Sequence, residues 1–154
     1  MASIGNLEVD VEVKSNPEKF WNGIRDSDKI FPTAFPELYK SIEILEGDGK
    51  AVGSVRLVKF AEGLPMVSMC KEKVEVVDEE KKTVGYSIVE GDVLSFYKSF
   101  KAQLVVEPKE EGSLVKWTCE FEKSKDDAPD PEIIFKAFAV KTFQDLDAYL
   151  IKAN

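Results

Sequence analysis

A glycine cluster with a lysine inside it, ILEGDGKAVGSVRLV at 44–58, is of a kind that can hold phosphate groups. A Walker A loop would need Gly-Lys-Ser/Thr at its end and then a helix, but position 52 is Val52 and Lys50 comes too early. The dinucleotide-binding pattern fails by one residue, since Gly53 comes four positions after Gly49. The flanks alternate like strands, so no helix N-terminus is available for a phosphate. We therefore predict a glycine-shaped hairpin loop, with incidental anion binding by its backbone N–H groups left open.

The other residues capable of chemistry are few. The chain has no histidine, which removes the usual proton shuttle near neutral pH and the commonest metal ligand. Catalysis would then depend on other groups with a shifted pKa, and the candidates are Tyr86, Arg56 and Lys116. Cys70 and Cys119 are far apart and in no metal-ligand spacing, so we expect reduced, inert thiols, with a thiol facing a pocket as the alternative. We expect no metal site and no cofactor.

Composition restricts the class of protein. The chain has 154 residues and a net charge of −8, with acidic and basic residues interleaved, which fits one domain over 1–154. Such a field repels phosphate backbones and anionic membranes, so neither nucleic acid nor a membrane is an expected partner. The N-terminal MASIGNLEVDVEV lacks the basic and apolar regions of a secretory signal, and no apolar run reaches bilayer length. We expect a cytoplasmic protein.

The elements that would position these residues are mainly strands. Strict alternation predicts a half-buried strand over 7–14. Ser15 and Glu18 have capping-box spacing around Pro17, which predicts a short helix, and IFPTAFP predicts a second helical turn. The period then changes to two, and six further strands are predicted at 41–46, 54–60, 67–77, 83–90, 96–107 and 113–122. Their short connections predict antiparallel hairpins in a single meander.

A long amphipathic helix is predicted at the C-terminal end. Asp130 is a suitable N-cap and Pro131 suits the first helical position. Apolar or small residues then recur at four-residue spacing: Ile134, Phe138, Thr142, Leu146 and Leu150. A helix roughly 30 Å long cannot by itself fill the concave side of a curved seven-stranded sheet, so a cavity between sheet and helix is plausible.

At this level of detail the chain resembles a known family. The segments that carry the resemblance are KFWNGIRDSDKIFPTAFP, YKSIEILEGDGKAVGSVRLVKFAEG, VDEEKKTVGYSIVEGD, GSLVKWTCEFEK and DAYLIKA. They resemble the birch-pollen-allergen superfamily, which includes the class-ten pathogenesis-related plant proteins, and are closest to its major latex protein-like branch. The resemblance implies an α+β helix-grip (START-like) fold: a seven-stranded antiparallel curved sheet, two short helices and a long C-terminal helix around an apolar cavity. It also implies a mouth near the short helices and a monomeric state.

Alternation and the implied fold together give a set of candidate ligand-binding residues, for each of which plain core packing is the alternative. The set is Val9, Val11, Val58, Phe60, Val67, Met69, Val84, Tyr86, Ile88, Phe100, Ala102, Ile134, Phe138 and Thr142, with Phe35 and Leu38 near the proposed mouth.

Arg56 is the candidate polar anchor. It is in phase with Val58 and Phe60, so it points inward if they do, and it would then need an acidic or carbonyl partner in the protein or the ligand. In the alternative, Val55 and Leu57 form the inner set and Arg56 is solvated.

The resemblance implies two functions of different kinds. The first is a cytosolic plant protein that binds and carries small hydrophobic metabolites of the terpenoid, steroid, flavonoid or hormone type, with a role in defence or specialised metabolism. The second is a cofactor-free pocket enzyme, a cyclase or isomerase of a reactive terpenoid, iridoid or alkaloid intermediate. A ribonuclease is disfavoured by the absence of histidine and by the negative charge. The sequence favours the binding protein, since binding needs apolar surface and little else.

Overall fold

Seven strands form one antiparallel sheet in the computed structural model, which describes residues 4–62, 68–124 and 131–152, without the side chains of 131–134. The strands are β1 (Ile4–Val13), β2 (Tyr39–Glu46), β3 (Val55–Phe60), β4 (Met69–Asp78), β5 (Thr83–Gly91), β6 (Tyr97–Pro108) and β7 (Ser113–Lys123). The helices are α1 (Pro17–Arg25) and α2 (Ser27–Ala34) after β1, a short 3₁₀ helix (Asp92–Ser95) before β6, and α3 (Pro131–Lys152). The predicted α+β architecture is confirmed.

The sheet order is β1-β7-β6-β5-β4-β3-β2, so the predicted meander runs from β2 to β7 and β1 closes it by pairing with β7. Alternation produces this arrangement because one face of most strands is buried, as in β1, where every second residue from Leu7 to Val13 is buried. The predicted strand ends differ from the observed ones by at most three residues. The 3₁₀ helix was not predicted, and the predicted N-cap Asp130 lies outside the described residues.

The N-cap of α1 corrects the predicted capping box. The cap is Asn16, whose side-chain Oδ1 accepts a hydrogen bond from the Lys19 backbone N–H at 2.8 Å. Asn16 is extended, Pro17 occupies the first helical position, and Glu18 lies in the first turn, where its charge complements the helix dipole. The Ser15–Glu18 spacing was therefore misleading, because the neighbouring asparagine is an equally good cap.

Ser15 instead joins the start of α1 to the far end of α3. The carboxylate of Asp147 accepts three hydrogen bonds, from the Lys14 N–H at 2.9 Å, the Ser15 N–H at 2.9 Å and the Ser15 Oγ at 2.7 Å. The Ser15 carbonyl in turn accepts a bond from the buried Ser113 Oγ at 2.8 Å. One side chain of α3 thus satisfies two backbone donors where the chain leaves the sheet.

Replacing Asp147 by alanine is expected to lower the free energy of unfolding by about 2 kcal/mol, because hydrogen bonds to a charged group contribute about 1.5–3 kcal/mol and two backbone donors lose their partner. Asp145→Ala is the matched control on the same helix. Asp145 pairs with Lys141 at 3.1 Å as an exposed i,i+4 pair, so its loss should cost less than about 0.5 kcal/mol. Urea denaturation of both variants makes the comparison, and equal midpoints would contradict the bridging role of Asp147.

α3 covers the sheet with one face, which packs against β1, α1 and α2. The buried residues of its described part are Ala139, Thr142, Phe143, Leu146 and Leu150, which confirms the inward phase predicted from the four-residue spacing. Phe138 is only partly buried, because it borders the space left between α3 and the sheet.

Candidate functional site: an apolar cavity with a charged pair in its wall

A cavity of about 430 Å³ lies between the sheet and the helices, within the roughly 300–1,000 Å³ of typical small-molecule sites. Most of its wall is aliphatic or aromatic. The apolar lining residues are Ile24, Phe31, Leu38, Ile42, Val58, Phe60, Val74, Val84, Ile88, Val93, Phe100, Leu104, Phe135, Ala137, Phe138, Ala139 and Phe143. Such a surface holds an apolar molecule by excluding water and imposes little directional chemistry.

The sheet presents its lining residues in cross-strand rows. Val58 is the register partner of both Ile42 and Cys70, which places one row across β2, β3 and β4. The adjacent row contains Arg56, Glu72 and Ile88 on β3, β4 and β5. All six of these residues line the cavity. The pairing register therefore determines which side chains meet inside.

Arg56 and Glu72 form an ion pair in this wall. The Arg56 Nη2 lies 2.9 Å from the Glu72 Oε1, and the Arg56 Nη1 donates to the Ser27 Oγ at 2.6 Å. Their side chains are only 17% and 13% exposed. The inward phase predicted for Arg56 is thus observed, the alternative with Val55 and Leu57 as the inner set is not, and its partner is a protein carboxylate.

Two phenols also belong to the polar part of the wall. The Tyr86 Oη accepts a hydrogen bond from the Trp117 Nε1 at 3.2 Å, and the Tyr39 Oη lies 3.3 Å from the Thr142 Oγ1. Burial raises the pKa of both tyrosines, and the nearby Glu72 charge adds to that rise in each pKa. Both are therefore neutral hydroxyls at physiological pH, able to donate a hydrogen bond and unable to act as bases.

The cysteines are both free and buried, and Cys70 lines the cavity. Burial raises the pKa of the Cys70 thiol, and it raises the pKa of Cys119 to about 12. Neither sulfur is a thiolate near neutral pH, so neither is an activated nucleophile.

Ten of the predicted ligand-binding residues are brought together around the cavity: Leu38, Arg56, Val58, Phe60, Val84, Tyr86, Ile88, Phe100, Phe138 and Thr142. Of the candidate catalytic groups, Tyr86 and Arg56 are therefore in the wall. That any of them contacts a ligand stays a prediction.

Other predicted residues lie elsewhere. Val9 and Val11 are buried in β1, the strand that α3 packs against, and neither lines the cavity. Ala102 shares the inward phase of Phe100 but does not line the cavity. Phe35 is 1% exposed and stacks behind Phe31, with ring centroids 4.8 Å apart.

Lys116 is on the outer side of its strand. It is 42% exposed and pairs with Glu107 at 3.7 Å, while the next residue, Trp117, lines the cavity. As a group inside the pocket, Lys116 is therefore excluded by the alternation of β7.

β4 was predicted in the wrong phase. Val67, Met69 and Val77 share one parity, and Val77 does pack against the core, but the register shifts between Val74 and Val76. This irregularity reverses the parity, so Cys70, Glu72 and Val74 line the cavity and Met69 does not. Val67 and the side chain of Ile134 lie outside the described residues.

Glu72 is the main polar residue that sequence reasoning missed. The available signal was Arg56, since a buried arginine needs an acidic partner on a neighbouring strand. Choosing among the acids of β4 required the β3–β4 register and the irregularity, neither of which the sequence shows. The other lining residues with polar side-chain atoms that were missed are Arg25, Ser27, Tyr39, Trp117 and Lys141, while Cys70 realises the alternative of a thiol facing the pocket.

The glycine-rich stretch forms a loop between β2 and β3, as predicted, and Gly47, Gly49 and Gly53 all have positive φ. Asp48 occupies the position an anion would take, since its Oδ1 accepts from the N–H groups of Lys50 at 2.8 Å and Ala51 at 2.9 Å. These donors and others of the loop are already used internally: the Gly49 N–H donates to Ser54 and the Gly53 N–H to Val74. The loop is thus closed on its own carboxylate, which disfavours the anion binding left open above.

The same loop is joined to the helix junction. The Lys50 Nζ pairs with Asp26 at 2.8 Å, and the Arg25 Nη2 donates to the Lys50 carbonyl at 2.6 Å. Arg25 also pairs with Glu79 at 3.5 Å and lies over the Trp21 ring. Lys50 is therefore a structural contact between loop and helices.

Within the described part of the chain, no helix has the length and apolarity to cross a membrane. Among residues 4–62, 68–124 and 131–152, no cluster of cysteine, aspartate and glutamate side chains could hold a metal ion.

The chain matches the model of the pathogenesis-related protein Bet v 1 family over residues 2–153. It is 49% identical over 152 residues to MLP-like protein 423 of Arabidopsis thaliana, which covers 99% of this chain and 97% of that protein. The crystal structure of major latex-like protein 151 from Panax ginseng superposes with a TM-score of 0.86 at 27% identity, covering 95% of this chain and 97% of the other. Norcoclaurine synthase from Thalictrum flavum shares the fold, with a TM-score of 0.81 at 20% identity over 99% and 89% of the two chains. This chain belongs to the Bet v 1 family, in its major latex protein-like branch.

Proposed function

We propose that this protein binds and carries small hydrophobic metabolites in the cavity beneath α3. The observation that carries the proposal is the cavity itself, about 430 Å³ in volume and lined mainly by aliphatic and aromatic side chains. Binding of small hydrophobic ligands is also a property of the family. Water in such a space lacks polar partners over most of the wall, so an apolar molecule displaces it favourably.

The chemistry of the wall narrows the class of ligand. Terpenoids, steroids, flavonoids and many hormones combine an apolar body with a few hydroxyl or carbonyl groups, and the wall offers the same balance. Its hydroxyls are concentrated at Tyr39, Tyr86 and Thr142, and aromatic rings surround them, with Tyr39 and Phe138 at 5.5 Å between centroids. We include in the proposal a cytoplasmic location, with which two free thiols agree, a monomeric state, and a role in plant defence or specialised metabolism.

The test is to fill the cavity without disturbing the sheet. Ile88 lines the cavity on β5 and is only partly buried, so an indole ring at this position has space to occupy. Ile88→Trp is expected to weaken binding of the neutral fluorescent probe N-phenyl-1-naphthylamine at least tenfold and to leave the melting temperature within a few degrees of wild type. The physical reason is competition, since probe and indole would occupy the same volume.

Val89→Trp is the matched control, because Val89 follows Ile88 on the same strand, points to the outer face and is 47% exposed. It should bind the probe like wild type. Absence of probe binding to the wild-type protein at micromolar concentration, or equal affinity of Ile88→Trp and Val89→Trp, would sink the proposal.

A second candidate, the cofactor-free cyclase or isomerase, is favoured by one observation: Arg56, Glu72 and Tyr86 all converge on one cavity. Their states limit what chemistry they could perform. Tyr86 is held neutral by burial, and the Glu72 carboxylate is bound to Arg56, so neither is a free base. The remaining route to rate enhancement is to hold a reactive substrate in a folded conformer near hydrogen-bond donors. An unchanged rate and stereochemical outcome for such a substrate in the presence of the protein would exclude this route.

A further inference from the structure

The ion pair of Arg56 and Glu72 has a specific place in the wall. The two residues are direct register partners on β3 and β4, so the sheet holds their side chains side by side on the cavity face. Both line the cavity, and Glu72 is the acidic residue among the described lining residues. The second guanidinium nitrogen of Arg56 is bound to Ser27, which fixes the plane of the group. A cationic side chain that could attract a ligand anion is therefore already matched to an internal anion.

The other cations of the wall are matched in the same way. Arg25 is paired with Glu79 and donates to the Lys50 carbonyl, and Lys141 is paired with Asp145. No cation among the described lining residues is without a carboxylate partner. A ligand carboxylate would enter a space in which each positive charge is engaged, and it would lose its hydration shell in doing so.

Competition for Arg56 would not help an anionic ligand. The sheet holds the Glu72 carboxylate at hydrogen-bond distance from Arg56, whereas a ligand must be ordered in place. Glu72 therefore has the higher effective concentration at the guanidinium. A second carboxylate at the same guanidinium would also be repelled by the first. A hydroxyl or carbonyl group has neither difficulty, and it can accept a hydrogen bond from the neutral Tyr86 phenol, whose oxygen already accepts from Trp117.

We propose that Glu72 is a specificity-determining residue, which neutralises Arg56 inside the cavity so that the protein selects uncharged apolar ligands and rejects carboxylates of the same size. The inference rests on the proposed function, since it assigns the ligand class of the same cavity. Removal of Glu72 would leave Arg56 as an uncompensated charge in the wall, and a ligand carboxylate would then be the group that neutralises it.

The first measurement uses the wild-type protein and needs no variant. At pH 8, 1-dodecanol and dodecanoate are compared as competitors for N-phenyl-1-naphthylamine, since they share the chain and differ in the charge of the head group. Wild type is expected to bind 1-dodecanol at least tenfold more tightly than dodecanoate. Equal affinities would overturn the inference while the probe binding itself still supported the proposed function, and absence of probe binding would count against both.

The second measurement reverses the preference. Glu72→Gln keeps the size of the side chain and removes its charge, so dodecanoate affinity is expected to rise at least tenfold and dodecanoate should raise the melting temperature more than 1-dodecanol does. Glu90→Gln is the matched control. Glu90 pairs with Lys71 across the adjacent strands β4 and β5 and is 60% exposed, so this variant changes the net charge equally and should keep the wild-type preference.

The reciprocal variant tests the same ion pair from the other side. Arg56→Gln leaves Glu72 without its partner, and the variant is expected to gain affinity for dodecylammonium at pH 8 by at least tenfold. If Glu72→Gln or Arg56→Gln does not fold, the wild-type comparison of alcohol with acid still decides. Folded variants that keep the wild-type order of affinities would overturn the role assigned to Glu72.

Discussion

Gly112→Ala is expected to lower the free energy of unfolding by about 2–6 kcal/mol, the sum of backbone strain and a backbone clash that are each about 1–3 kcal/mol. Gly112 lies in the turn between β6 and β7 with φ at +85°, a conformation that costs an L-residue strain. A Cβ at this position would overlap the carbonyl oxygen of Val13 and come within 3.1 Å of the Lys14 Cα. Both neighbours are backbone atoms at the end of β1, so no side chain can move aside.

Gly53→Ala is the control, because it shares the strain without the clash. Gly53 has φ at +93°, yet a Cβ there would meet no atom within 4 Å. Its cost should be about 1–2 kcal/mol, as for a single alanine in the left-handed region. Guanidinium chloride denaturation of the two variants separates the contributions. Midpoints that coincide would mean that the close approach of the turn to β1 does not exist in solution.

Much of this fold is predictable from sequence because its order depends on local signals. β6 alternates buried and exposed residues through Phe100, Ala102 and Leu104, and such a pattern has only one reading as a strand. Short turns then force neighbouring strands to pair antiparallel. Element ends are less predictable, because Ser15 and Asn16 are chemically similar N-cap residues. In the structure Asp147, far along the chain, binds Ser15, and Asn16 caps the helix.

The polar part of the cavity is not predictable in this way, because it depends on non-local geometry. Extending the phase of Val77 back along β4 points Met69 inward, and the irregularity between Val74 and Val76 reverses that result. With the phase reversed, Glu72 becomes the partner of Arg56. This one-residue irregularity in β4 therefore decides whether Glu72 faces solvent or faces Arg56 in the cavity wall.

The consequence for function follows from the same pairing. The sequence predicts for Arg56 an acidic or carbonyl partner in the protein or the ligand, and in the structure that partner is Glu72. The polar contacts that remain for a ligand are uncharged, at Tyr86, Tyr39 and Thr142. Under the proposed function, this wall would select among apolar ligands by their charge as well as by their fit.

Leu146→Ala is expected to lower the free energy of unfolding by about 2–5 kcal/mol, the range for deleting a buried leucine side chain. Leu146 is 0% exposed and does not line the ligand cavity. Its loss should therefore leave probe affinity unchanged in the folded protein. Leu45→Ala is the same substitution at a position 44% exposed, and it should cost less than about 1 kcal/mol. Thermal unfolding with and without probe distinguishes a lost core contact from a lost binding site.

The contact of α3 with α1 explains why the cost of Leu146→Ala should depend on Gly23. Gly23 is buried in α1, and a Cβ built on it would lie 3.3 Å from the Leu146 Cδ1 and 3.0 Å from the Leu150 Cδ1. The leucines thus pack directly on the glycine backbone.

In the double variant Gly23→Ala/Leu146→Ala, the added methyl group enters the space that the leucine vacates, whereas the helix propensity of alanine contributes equally in both backgrounds and cancels from the cycle. A double-mutant cycle should therefore show Leu146→Ala costing at least about 1 kcal/mol less in the Gly23→Ala background, since contacting residues couple by about 0.5–3 kcal/mol. Strictly additive effects would mean that Gly23 and Leu146 do not touch.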